Sequence, residues 1–165
     1  MSFNTLLINC RSLKPKIDSL ISNFTENKAH VAMLTETWLY KSDGQFKRKM
    51  IDIKDSDSIS LIRKGRDSRG GGVAIAYDES KIKLGKLSLN SLKKSKFEIV
   101  AAAGKLIGIK KNHLIFSCYL PPSYNRDKTA AFFETLVDAV SEAKAKCPDS
   151  WLTIGGTGMR GPFPQ

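Results

Sequence analysis

Cysteine is scarce in this chain and histidine scarcer: 165 residues include three cysteines, Cys10, Cys118 and Cys147, and two histidines, His30 and His113. An odd cysteine count with no Cys-x-x-C pair excludes a disulfide framework and points to a reducing compartment. Long apolar runs are missing too. Nothing approaches the roughly 18 residues of a spanning helix, and Thr5-Leu6-Leu7-Ile8 is too short, and lacks the basic flank, for a signal segment. The expected location is intracellular, the nucleus among the compartments, with no membrane partner. No Gly-Lys-Ser/Thr follows the glycines after Arg69, which excludes a P-loop. Internal repeats and low-complexity tracts are absent.

Acidic residues are the minority charge, 16 Asp+Glu against 27 Lys+Arg, for a net charge of +11 and a pI of about 9.7. That balance favours polyanionic partners such as nucleic acid. With 41% hydrophobic and 26% charged residues, the chain fits one globular domain with a single core.

The pattern along the chain is mixed α/β. Phe3 to Asn9 reads as a strand, Ser12 as a helix N-cap and Pro15 as a first-turn residue. Ile17, Leu20, Ile21 and Phe24 then form the apolar stripe of an amphipathic helix. Val31 to Thr35 is apolar enough for a buried strand. Strand, helix and strand in this order predict a βαβ unit with parallel strands, Asn9 and Glu36 both standing at carboxyl ends. Tyr40 to Asp57 reads as a surface loop. Ser58 to Arg63 and Gly72 to Tyr77 read as strands joined by a glycine- and arginine-rich hairpin loop. A short strand is expected within Lys81 to Leu92. Phe97 to Ala103, Leu106 to Lys110 and Leu114 to Tyr119 have the spacing of a three-stranded antiparallel meander. Asn125 or Asp127 caps a helix to about Lys146, with Phe133, Leu136, Val137 and Val140 on its buried face. Trp151 to Ile154 is a last strand. The predicted domain is 1–156, and 157–165 reads as an irregular, disordered tail.

Glu36 carries the strongest chemical signal. A carboxylate on the tip of a core strand is rigidly held and partly desolvated, which suits a metal ligand or an acid/base group, although a solvated acid at a strand end fits the same pattern. Lys47, Arg48 and Lys49, together with Arg69 and with Lys93, Lys94 and Lys96, are candidate phosphate contacts, or solvated basic turns. His30 and His113 stand at the starts of strands that end at Glu36 and Tyr119, about 20 Å from that rim at about 3.3 Å per residue. Neither is a candidate base there, and both read as surface or strand-end residues.

Four stretches, Ile8-Asn9-Cys10-Arg11-Ser12-Leu13, Leu34-Thr35-Glu36-Thr37-Trp38, Arg69-Gly70-Gly71-Gly72-Val73-Ala74-Ile75 and Cys118-Tyr119-Leu120-Pro121-Pro122, resemble the endonuclease/exonuclease/phosphatase superfamily. The likeness is greatest to apurinic-type endonuclease domains of non-LTR (LINE-type) retrotransposons, and it covers residues 3–156. It implies an α/β fold, an incomplete four-layer sandwich of two packed mixed sheets flanked by helices, with the site along one rim. By resemblance, Glu36 holds a divalent metal, usually Mg2+, Asn9 orients a catalytic group and phosphate, Tyr119 lies at the phosphate, and the reaction is hydrolysis of a DNA phosphodiester. Such a metal takes one or two carboxylates, phosphate oxygens and waters, so one rigid Glu suffices as chief protein ligand.

The departures are as informative. Where the family continues Gly-Asp-Phe-Asn after the last strand, this chain has Gly156-Thr157-Gly158-Met159, and no Ser-Asp-His motif occurs in it. The expectation is therefore the N-terminal part of a retrotransposon-type endonuclease domain, inactive as this chain. The alternatives are a non-catalytic basic nucleic-acid-binding remnant and a small-molecule or lipid phosphodiesterase or phosphatase. An unpaired sheet edge with exposed apolar area is expected as well.

Overall fold

The computed structural model describes residues 2–40, 59–64 and 70–158. Lys47, Arg48, Lys49 and Arg69, the loop predicted from Tyr40 to Asp57 beyond its first residue, and the tail from Met159 onward lie outside the described residues. Two four-stranded sheets carry the fold, one in the order β1-β2-β4-β3 and one in the order β5-β6-β7-β8. The first is built from β1 (Thr5–Asn9), β2 (Val31–Thr35), β3 (Ile59–Lys64) and β4 (Val73–Asp78). The second is built from β5 (Ile82–Lys86), β6 (Glu98–Leu106), β7 (Asn112–Tyr119) and β8 (Trp151–Thr157).

Helix α1 (Ile17–Glu26) packs Leu20 and Phe24 on the first sheet, with Leu6, Ile8, Ile17 and Ile21 beside them. Helix α3 (Arg126–Lys146) packs Phe132, Leu136, Ala139 and Ala143 against Leu114, Phe116 and Cys118 of the second sheet. Between the sheets lie Val31, Met33, Ile75, Val100 and Ile115. Helix, sheet, sheet and helix make the four-layer α/β arrangement that the resemblance implies. The short helix α2 (Asn90–Lys93) is tied to α3 through Glu142, which accepts from the N–H groups of Asn90 and Ser91; these bonds hold its carboxyl down at about 2.

Strand direction decides what meets at each rim. β1 and β2 are parallel with Asn9 opposite Thr35, and β7 and β8 are parallel with Tyr119 opposite Thr157. Their carboxyl ends therefore gather at one rim, where the antiparallel partners β4 and β6 bring their amino ends, Val73 opposite Thr35 and Glu98 opposite Tyr119.

Several local expectations are corrected. Ser12 caps no helix: it has a positive φ of 82° and donates its N–H to Glu36 O (2.9 Å), and Pro15 lies in a 3-10 turn, Lys14–Lys16, ahead of α1. The meander has β5, β6 and β7 as its strands. Leu106 ends β6, and the following residues turn through Gly108 at φ +82°, so no strand spans Leu106 to Lys110. Gly104, which reads as a break, is inside β6, where a Cβ would come within 1.8 Å of Lys83 O. On α3, Val137 is 63% exposed and Phe132 is buried, because Ala139 and Ala143 give the close approach to the sheet and rotate the buried stripe. β8 runs three residues past the expected strand end at Ile154, to Thr157.

The histidines are at the far rim but in the core. His30 accepts from Asn4 N–H at Nδ1 (3.1 Å), and His113 is 2% exposed, packed between Phe3 and Trp151 with no hydrogen-bond partner on either nitrogen. Burial, then the charge of neighbouring His30 and Lys111, lowers the His113 pKa from its ordinary value. A group whose folded pKa is depressed below about 6.5 costs nothing above that pH and destabilises the fold as pH falls below it. Urea midpoints should thus fall between pH 7.5 and 5, and His113→Phe should make that fall shallower; an unchanged slope would contradict the assignment.

Among the described residues β8 is a sheet edge, and its Trp151, Leu152 and Ile154 are 46%, 38% and 41% exposed. No charged residue or proline interrupts the strand, so it lacks the usual guards against edge pairing. Ile154→Lys is expected to raise the concentration at which the protein stays monomeric by light scattering, with an unaltered circular dichroism spectrum. Equal aggregation in both proteins would place the sticky surface elsewhere.

Candidate functional site

At the rim of carboxyl ends, Asn9, Glu36, Tyr119 and Thr157 line one cavity of about 530 Å³ together with Arg11 and Tyr124. Four stretches far apart in sequence deliver them: the end of β1, the residue after β2, and the ends of the parallel strands β7 and β8. Glu36 is half-buried and Asn9 exposed. No described group donates a hydrogen bond to either side chain.

The backbone under these side chains is unusual. Arg11, Ser12, Glu36 and Trp38, none of them glycine, have positive φ of 42°, 82°, 51° and 53°. Left-handed residues without glycine cost about 1–3 kcal/mol each and persist only where the surroundings hold them. Here the two loops hold each other. Cys10 N–H donates to Thr35 O, Ser12 N–H to Glu36 O and Leu13 N–H to Thr37 O, all at 2.9 to 3.0 Å. The second loop is also hydrogen-bonded to the glycines ahead of β4, with Thr37 N–H on Gly72 O (3.3 Å) and Trp38 N–H on Gly71 O (2.9 Å). Lys16 Nζ donates to Cys10 O on the other side. Glu36 is thus aimed by a hydrogen-bonded pair of strained loops rather than by the strand alone.

Between the sheets the rim is polar. Thr35 Oγ1 and Thr157 Oγ1 are 2.7 Å apart, and Ser117 Oγ donates to Leu34 O (3.1 Å). Both cysteine thiols near the rim are inert: burial pushes Cys10 up to about 11, although Lys16 opposes it, and pushes Cys118 up to about 12. Thiolate chemistry at neutral pH is excluded for both.

The exposed Lys93, Lys94 and Lys96 belong to a turn held by Lys64, whose Nζ donates to Ser95 O (3.1 Å) and Phe97 O (2.6 Å). The ring of Phe97, which follows this turn, lies 5.9 Å from that of Tyr124. The structure therefore brings Asn9, Glu36 and Tyr119 together, whereas Lys93 of the second basic cluster lines a separate cavity with Lys64 and Lys86. Arg11 and Thr157 are cavity residues that sequence reasoning did not single out. The signal for Arg11 was its place within the same stretch as Asn9; for Thr157 it was its alignment with the Asp of the resembling pattern, which the register of β8 against β7 brings to the rim.

A hard divalent cation suits this donor set. Glu36 offers a carboxylate and Asn9 an amide oxygen, and the described residues contain no group of three or more His, Cys, Asp or Glu that would make an all-protein cage. One carboxylate with room for waters and phosphate oxygens is how magnesium is commonly held, whereas zinc prefers nitrogen and sulfur.

No family model and no curated protein matches the sequence. Solved structures do match its fold. The endonuclease domain of TRAS1, a telomere-specific non-LTR retrotransposon, superposes with a TM-score of 0.60 at 13% identity, over 94% of this chain and 58% of that one. The 3'-5' exonuclease NExo from Neisseria meningitidis gives 0.62 at 14% identity over 92% and 56%, and an AP endonuclease from Archaeoglobus fulgidus 0.59 at 18% over 94% and 56%. The chain has the fold of endonuclease/exonuclease/phosphatase proteins and spans somewhat over half the length of these structures.

The glycine turn ahead of β4 is the part of the rim least able to change. Gly72 has φ +91°, and a Cβ there would come within 2.6 Å of the buried Thr37 Oγ1. Gly72→Ala is expected to lower stability by about 1–3 kcal/mol in urea unfolding. An unchanged midpoint would mean that the Glu36 loop does not depend on this contact.

Proposed function

We propose that this rim is a DNA-phosphate site of the divalent-metal-dependent endonuclease type, which in these 165 residues binds phosphate without hydrolysing it. The observation that carries the reading is the convergence of Asn9, Glu36 and Tyr119 on one cavity from the stretches that resemble retrotransposon endonucleases. The similarity of fold to the TRAS1 endonuclease domain supports it. The charge of +11 supports a polyanion as ligand.

Glu36 and Asn9 would hold Mg2+, which when bound supplies positive charge beside a phosphate oxygen and acidifies water. The Tyr119 hydroxyl would donate a hydrogen bond to a non-bridging phosphate oxygen, and Arg11 would pair with the same or the adjacent phosphate; both line the cavity. Lys93, Lys94 and Lys96 neutralise phosphates further along the strand, a sequence-independent contribution.

What the cavity lacks is a base. Glu36 is its one carboxylate among the described residues, neither histidine lies near it, and Thr157 stands where the resembling pattern has Asp. A threonine hydroxyl cannot take a proton from water at neutral pH, and this one is hydrogen-bonded to Thr35. Removing one member of a catalytic unit typically lowers rate by several orders of magnitude. This favours the non-catalytic reading over turnover.

The purified protein is expected to retain DNA in a gel shift that weakens steeply between about 50 and 200 mM salt. Mg2+ should strengthen retention by the unaltered protein more than by Glu36→Ala, and neither should nick supercoiled plasmid. Mg2+-dependent nicking abolished by Glu36→Ala would overturn the non-catalytic part, and Mg2+ responses equal in both proteins would remove Glu36 as its ligand.

A further inference from the structure

Glu98 is a buried carboxyl side chain that plays no part in the cavity lining, and it sits where the two halves of the rim meet. As the first residue of β6 it pairs with Tyr119 of β7. Its side chain crosses to the other sheet, where Oε2 accepts from Gly72 N–H (3.2 Å). The Gly72 carbonyl accepts from Thr37 N–H, and the neighbouring Gly71 carbonyl from Trp38 N–H. One residue is therefore linked through its backbone to Tyr119 and through its side chain, by way of Gly72, to the strained loop that carries Glu36.

We propose that Glu98 is a positioning residue, which sets the distance between Glu36 on the first sheet and Tyr119 on the second. The inference rests on the metal-dependent phosphate site proposed above and adds to it a residue that touches neither metal nor phosphate. The argument is one of reach. Glu36 and Tyr119 are on different sheets, apolar packing between sheets is non-directional, and a site needs its groups held within about 0.5 Å. A carboxyl group that accepts from the glycine turn converts loose packing into a fixed offset. It also polarises the Gly71–Gly72 peptide, whose carbonyl is that of Gly71, and so strengthens the bond from Trp38 N–H to Gly71 O. The left-handed Glu36 and Trp38 are held in part by those two glycine carbonyls, so losing the anchor should let the loop relax.

Three substitutions separate this role from a general need for a buried acid. Glu98→Gln keeps an acceptor at the same reach, Glu98→Asp keeps the acid but withdraws it by one methylene, and Glu98→Leu keeps bulk alone. Amide exchange at Thr37 and Trp38 is expected to quicken about tenfold in the Asp and Leu proteins and to stay near the unaltered rate in Gln, while Ala74 to Ala76 remain protected. The apparent dissociation constant for Mn2+ alone should rise about tenfold in Asp and Leu and little in Gln, as for other outer-shell groups. Asp behaving like the unaltered protein, or Gln behaving like Leu, would overturn the proposal. If the Leu protein does not fold, the contrast of Asp with Gln decides. The exchange measurement needs no metal, so an unaltered protein that binds no Mn2+ would refute the metal site, and exchange at Thr37 and Trp38 would still decide for or against Glu98.

Discussion

Two sheets packed through Val31, Met33, Ile75, Val100 and Ile115 are held together by a force with no direction, and such a contact leaves their offset weakly determined. Three of the directional bonds between the sheets lie at the rim of carboxyl ends, where the offset matters: Thr35 to Thr157, Ser117 to Leu34, and Glu98 to Gly72. At about 0.5–1.5 kcal/mol each, three such bonds are a small part of the favourable terms in folding, so their main effect is on register. The cavity lined by Asn9, Glu36, Tyr119 and Thr157 has walls on both sheets. Its shape depends on these bonds.

The same rim concentrates backbone strain. Four non-glycine residues with positive φ lie in two adjoining loops, and the loops are hydrogen-bonded to each other and to the glycines before β4. Strain of this kind persists where surrounding structure over-determines it, and it is often associated with functional sites. Here it turns Glu36 out of the line of β2 and toward the cavity. At the far rim the buried histidines pack against aromatic rings and form a core end.

Much of this was legible in the sequence. The apolar patterns located all eight strands and both long helices, with one strand too many at Leu106 to Lys110, because burial on one face leaves a regular trace. The parallel pairing of β1 and β2 followed from the βαβ order, and with it the neighbourhood of Asn9 and Glu36. What could not be read depends on pairs distant in sequence. Gly104 resembles a strand break, yet it lies within β6 because Lys83 O comes close to it. His113 looks like a strand-start residue and is buried because Phe3 and Trp151, from opposite ends of the chain, close over it. Ser12 has the composition of an N-cap, but its N–H is taken by Glu36 O. Glu98 has no sequence signature at all, since its importance lies in a hydrogen bond across the sheets.

The central claim is that Glu36, Asn9, Tyr119 and Thr157 surround one divalent-cation and phosphate site. Paramagnetic Mn2+ titrated into isotopically labelled protein tests it most directly, because broadening falls off steeply with distance from the bound ion. The account predicts that resonances of Asn9, Glu36, Tyr119 and Thr157 broaden first, and that those of His30, His113 and Trp151 at the opposite rim stay sharp. Broadening centred elsewhere, or equal at both rims, would contradict it.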